Sequence, residues 1–271
     1  MLIDTHVHAI ADDMERYPGN YSADWARGGI ATGVQIDTLL NTASVERAIL
    51  VQPMTVYGAD NRYLLDAQRL NASRFSAVVA VDPTDAVNNV HSYVEIPGVV
   101  GVRVTNASGI GIGTRLDDPH FAHAWNSAAE AGLTVVVSID FSHLNELGLM
   151  LDSLVKAPTV LDHCAFPPIA SGGWDVLDDL FRLSDKEGVI LKATNHNFNE
   201  LEEPAEFLER LTRVFGAERM VWGSDFPHTH SSDYPQLVAE AISVADILSA
   251  SDREGFLGLT ANRLWPVMGS A

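Results

Sequence analysis

Eight short apolar runs rich in β-branched residues punctuate the chain, and together they limit what it can fold into. They read "LIDTH", "RAILVQP", "SAVVAVDP", "VVGVRVT", "LTVVVSID", "TVLDH", "GVILKAT" and "RMVWGSD". Between them lie stretches such as "YLLDAQRLNAS" and "FAHAWNSAAEAG", where apolar residues return every three or four positions, the period of an amphipathic helix. Strands that are apolar on both faces and alternate with helices belong to a parallel sheet covered by those helices. Eight such units predict an α/β fold, a (β/α)8 TIM barrel, and 271 residues is a length that suits one. No linker or composition break divides the sequence, so residues 1–271 read as one domain. The final segment, "SDREGFLGLTANRLWP", is expected to start with a Ser251-x-x-Glu254 capping box and to close the barrel as a helix.

A barrel places its active site at the C-terminal ends of the strands. The first run ends on Thr5-His6-Val7-His8, the second on Gln52 and the fourth on Arg103. The fifth reaches Ser138 and Asp140, the sixth Asp162-His163, the seventh Lys192 and the eighth Ser224-Asp225. Polar groups are costly inside apolar strands unless they are paired. Their recurrence at the same end of successive strands predicts a convergent site.

His6 and His8, two apart on a strand, project from one face. With His163 and Asp225 they form a set suited to a divalent metal such as zinc, with His6, His8 and Asp225 as potential ligands and His163 or Asp140 as a candidate fourth. The same groups also suit hydrolysis without metal, Asp225 acting as general base and the histidines stabilising an oxyanion. Arg103 and Lys192 are candidates to hold a substrate carboxylate, with a structural ion pair to a neighbouring acid as the competing role. Gln52, Ser138 and Tyr57 are further candidates for the substrate pocket. Tyr57, Asp60 and Asn61 in "VYGADN" either line the mouth or cap the next helix. "SGIGIGTR" lacks the spacing of a dinucleotide fingerprint and reads as a loop over the pocket. His196, His228 and His230 read as exposed loop histidines. Cys164 should face away from the barrel if His163 faces in, which argues against a cysteine nucleophile.

The net charge is −19, from 17 basic and 36 acidic residues. Such a field repels phosphate backbones and anionic membranes, which predicts no nucleic-acid or membrane partner. The absence of a leader-like N-terminus and the single cysteine fit a cytoplasmic protein. The expected partner is a small molecule, a lactone or a carboxylate. Nothing in the sequence specifies an oligomer.

"IDTHVHAI", "QPMTVYGADNRYLLDA", "GVVGVRVT", "VLDHCAFP", "MVWGSDFPH" and "TANRLWP" occur in an order that resembles the amidohydrolase superfamily over essentially the whole chain. The resemblance is to its lactonase branch, with the pyrone-dicarboxylate, sulfomuconolactone and sugar-lactone hydrolases. It implies that His6 and His8 are the paired histidines of strand one, His163 that of strand six, and Asp225 the water-activating aspartate. It also implies that Arg103 grips a substrate carboxylate. Metal-dependent members carry a histidine at the end of strand five, where this chain has Ser138 or, with a slip, Asp140. That departure favours a site needing no tightly bound metal, with one divalent ion, zinc first, as the alternative. "CAFPP" replaces an arginine that grips the second carboxylate of a dicarboxylate substrate, which argues against such a substrate here. The implied activity is general-base hydrolysis of a lactone. A metal-dependent non-oxidative decarboxylase and a non-catalytic ligand-binding barrel are the alternatives.

Overall fold

All eight apolar runs form strands, and they pair in parallel in chain order: β1 (Ile3–Val7), β2 (Arg47–Val51), β3 (Phe75–Ala80), β4 (Val99–Thr105), β5 (Thr134–Ser138), β6 (Thr159–Leu161), β7 (Val189–Thr194) and β8 (Met220–Gly223). This computed structural model describes residues 1–22, 29–82, 84, 86–106, 115–228 and 233–266. The glycine-rich stretch 108–114 and His230 lie outside the described residues. Helices fill the intervals as the periodicity predicts. In Pro119–Glu130, capped by Asp118, the buried residues are Phe121, Ala124, Trp125 and Ala128.

The ring closes where β8 meets β1. Asp225 N–H donates to the His6 carbonyl at 2.8 Å, His8 N–H donates to the Phe226 carbonyl at 2.8 Å, and the Thr5 hydroxyl donates to the Trp222 carbonyl at 2.6 Å. Glycine is needed at 223, because a Cβ there would sit 2.5 Å from the Cβ of His6. The buried Asp4 carboxylate fixes this seam from below the site. Its Oδ1 accepts from His6 N and Ser224 N, and its Oδ2 accepts from the Tyr234 hydroxyl.

The barrel interior is filled by Ile3, Ile49, Val51, Val78, Val136, Val160, Ile190 and Val221, with Trp265 packed among them. Trp265 closes the N-terminal end, its indole N–H donating to Thr134 Oγ1 at 3.1 Å. The terminal segment is helical as expected, but its cap lies two residues earlier. Ser249, rather than Ser251, accepts from Asp252 N at 3.2 Å. A π turn, Gly255–Leu259, then joins helix Ala250–Glu254 to helix Thr260–Leu264. Among the described residues no helix is long and apolar enough to cross a membrane.

β1 is not regular. Its pairing with β2 shifts by one residue between Asp4 and Val7. Ile3 packs inside the barrel while Val7 packs in the outer layer. Residues four apart on a regular strand would share a face, so the extra residue reverses the alternation. That reversal aims His6 and His8, rather than Val7, at the barrel axis.

Candidate active site

The two histidines meet at their tips. His6 Nε2 and His8 Nε2 lie 3.1 Å apart, and Asp225 Oδ1 stands 3.6 Å from the first and 3.3 Å from the second. His8 donates from Nδ1 to the Val51 carbonyl at 2.8 Å, so in its neutral form Nε2 carries a bare lone pair. His6 has partners for either tautomer. Its Nδ1 faces Lys192 Nζ at 3.2 Å, which donates, and Asp162 Oδ1 at 3.4 Å, which accepts. Burial holds both rings neutral, pushing the pKa of each down to about 3. Neutral imidazole is the form that binds a metal.

His163 and Asp225 come from strained backbone. β6 stops at Leu161, and His163, Cys164, Ala165 and Phe166 all have left-handed φ, between 51° and 61°. Asp225 has φ 60°. A left-handed residue with a side chain costs roughly 1–2 kcal/mol, and such strain gathers at functional sites. Asn197 holds the first turn by donating from Nδ2 to the His163 carbonyl at 2.8 Å. The Thr194 hydroxyl lies 2.8 Å from His163 Nδ1 and 3.2 Å from Asn197 Oδ1. Its one proton sets the His163 tautomer: given to Nδ1, it leaves Nε2–H as a donor.

Beneath this layer lies Asp162, fully buried. Lys192 Nζ reaches its Oδ1 at 2.8 Å and Arg103 Nε its Oδ2 at 2.9 Å. Burial alone would raise this carboxyl, but Lys192, His6 and Arg103 together hold it well below the usual carboxylate range. Both cations are thus engaged by a neighbouring acid, the competing role considered for them. Arg103 Nη1 meets only the Gln52 carbonyl, at 3.5 Å, among the described residues.

The remaining candidates divide. Gln52 and Ser138 stand buried at the ends of β2 and β5, and Gln52 Oε1 and Ser138 Oγ have no hydrogen-bond partner among the described residues. The Tyr57 hydroxyl accepts from Ala11 N at 2.9 Å and meets Tyr21 at 3.0 Å. Asp60 pairs with Arg62, and the Asn61 side chain bridges to Ala80 and Tyr93. Asp140 is half-buried just beyond β5. Cys164 is buried in the outer core, and burial pushes its thiol pKa up. It reaches that place through the left-handed turn, not by strand alternation.

Two of the loop histidines are not exposed. His196 rings with His163 at 5.5 Å and lines a pocket of about 220 Å³ beside Phe166. His228 packs on His8 at 4.3 Å. Sequence reasoning read each alone, without the left-handed turn at Asp225 that brings His228 back over β1. Asp4, Thr194 and Asn197 were missed as well; a carboxylate inside the apolar opening of β1 was the visible signal for Asp4.

The amidohydrolase family model matches residues 3–267. The chain is 30% identical over 217 residues to L-fucono-1,5-lactonase from Burkholderia ambifaria, covering 73% of this chain and 72% of that protein. It is 24% identical over 240 residues to 4-sulfomuconolactone hydrolase from Hydrogenophaga intermedia, covering 86% of this chain and 77% of the relative. A Burkholderia multivorans amidohydrolase crystallised with bound zinc superposes with a TM-score of 0.80 at 20% identity, covering 98% of this chain and 99% of that one.

These findings correct the expectation of a site that needs no tightly bound metal. The absence of a strand-five histidine counted for too much, because donors are supplied elsewhere. Ligand atoms of His6, His163 and Asp225 lie within 4.8 Å of one another, as do those of His8, Asp225 and His228, and a barrel of the same fold holds zinc. The donor set fits. Ligands of a tetrahedral zinc, with bonds of about 2.0–2.1 Å, stand roughly 3.3 Å apart. The His6, His8 and Asp225 donor atoms are separated by 3.1, 3.3 and 3.6 Å.

Proposed function

The chain belongs to the amidohydrolase family, and from that premise we propose that it opens a lactone ring by adding water to the ring carbonyl. The observation that carries this reading is the triangle of two imidazole Nε2 atoms and one carboxylate oxygen, 3.1–3.6 Å on a side, at the barrel mouth. Two relatives whose names state lactone hydrolysis support it. A divalent ion held by His6, His8 and Asp225 would supply Lewis acidity and lower the pKa of water.

The chain's own groups do the rest. Asp225 takes a proton from the attacking water on its second carboxylate oxygen while the new C–O bond forms. His163, when its Nδ1 accepts a hydrogen bond from the Thr194 hydroxyl, donates from Nε2 to the charge developing on the carbonyl oxygen. The ring C–O bond then breaks, and the departing alkoxide recovers the proton held by Asp225. Water is consumed and a hydroxy acid is released.

The substrate reading favoured is an uncharged, hydroxylated lactone. Gln52 Oε1, Asn106 Nδ2 and Ser138 Oγ, at the ends of β2, β4 and β5, are buried without partners among the described residues. Buried polar atoms normally find partners, and hydroxyl groups of a substrate would satisfy both donors and acceptors. The nearby cations are meanwhile neutralised in part by Asp162. A second reading, a lactone with one anionic substituent, rests on the terminal nitrogens of Arg103. A pH-indicator assay against sugar lactones, muconolactones and pyrone carboxylates decides between them. Acid release from sugar lactones alone supports the first reading, and preference for the anionic rings supports the second. Silence across the panel contradicts both.

A further inference from the structure

His228 has no role in the steps above. Its backbone N–H closes the turn at Asp225, donating to the Asp225 carbonyl at 2.8 Å. That turn lays the imidazole on His8, with ring centroids 4.3 Å apart and planes tilted by 34°. Its Nε2 is buried and has no hydrogen-bond partner among the described residues. Leaving a buried nitrogen unmatched costs about 1–3 kcal/mol, so a group in that position calls for a partner. Its ligand atom lies within 4.8 Å of those of His8 and Asp225.

We propose that His228 is a protein ligand of the metal ion held by His6, His8 and Asp225, entering the coordination sphere from the loop after β8. The inference rests on the metal-assisted reading of this site. Two ligands then come from the C-terminal end of β1 and the residue after it, and two from the β8 turn, so the seam that closes the barrel is also the metal clamp. The left-handed φ of Asp225 is what lets both the aspartate and the histidine three residues later face one point.

Cobalt provides a test that does not depend on turnover. The His228→Cys variant, stripped of metal and loaded with Co2+, should show an intense thiolate-to-cobalt charge-transfer absorption that the wild type lacks, since its only cysteine is buried in the outer core. Zinc affinity, read by chelator competition, should fall on the order of 100-fold or more in His228→Ala. It should recover in part in His228→Cys. Circular dichroism confirms that each variant is folded. A wild type that binds no zinc or cobalt would overturn the metal reading itself. A wild type that binds metal, with His228→Ala binding equally well and His228→Cys showing no charge-transfer band, would overturn the assignment of His228 alone.

Discussion

The two ends of one barrel are built from the same eight strands and solve opposite problems. At the N-terminal end, Ile3, Val78, Val136, Val160 and Val221 fill the interior and Trp265 seals it. At the C-terminal end the inward positions are His6, His8, Arg103 and Lys192, all nearly or fully buried. The lower layers are held by apolar burial, which tolerates small changes of shape. The upper layer must satisfy each buried polar atom, and it does so around one carboxylate, Asp162, that faces both cations and His6. Chemistry here is separable from apolar packing: a change below should alter stability alone, whereas a change above should alter function at the reacting groups and stability at the buried charges that support them.

Asp225→Asn is the sharpest test of that separation. Asparagine tolerates the left-handed backbone, so the fold should persist. Loss of a general base should lower kcat by roughly 10²–10⁴-fold. Steady-state kinetics beside a melting curve reads both, and an unfolded variant would show that Asp225 itself carries stability.

Asp162→Asn attacks the support of that layer. It leaves Lys192 and Arg103 buried without their counter-ion, which should cost about 3–5 kcal/mol in chemical denaturation. A cost under 1 kcal/mol would mean that water or Gln52 compensates the cations.

Acid should loosen the upper layer in metal-stripped protein. His6 and His8 have folded pKa values of about 3 against 6.5 when free, so their contribution is present above pH 6.5 and is lost as pH falls toward 3. Each loses up to roughly 1.4 kcal/mol per pH unit across that window. Asp4 acts in the opposite sense. Burial raises it from 3.8 to about 6, so its contribution is present below pH 3.8 and is lost as pH rises through 6. Two histidines outweigh one aspartate, and the melting temperature should drop between pH 6.5 and 4. A flat profile would contradict the neutral, buried state of the histidines.

Ile49→Val, in the lower layer, should produce the smallest effect. It should cost about 0.5–1.5 kcal/mol and leave kcat unchanged. A fall in kcat would break the separation of the two layers.

Much of this was legible in the sequence because strand order and strand ends follow from local patterns. The eight runs, the His6-His8 pair, His163 and Asp225 all sit where apolar periodicity stops. What was not legible depends on departures from regular geometry. The bulge in β1 reverses its alternation, and four consecutive left-handed residues after β6 replace an expected strand end. A left-handed aspartate folds His228 back over β1. None of these has a glycine to announce it. The engagement of Arg103 and Lys192 by Asp162 was equally hidden, since it joins residues 59 and 30 positions apart.

Ring opening in H2 18O reads which atom the water attacks and whether Asp225 activates it. Water attack at the carbonyl predicts one 18O in the carboxylate of the hydroxy acid, none in its alcohol, and negligible product with Asp225→Asn. Label in the alcohol oxygen, or undiminished labelling by Asp225→Asn, would contradict the account.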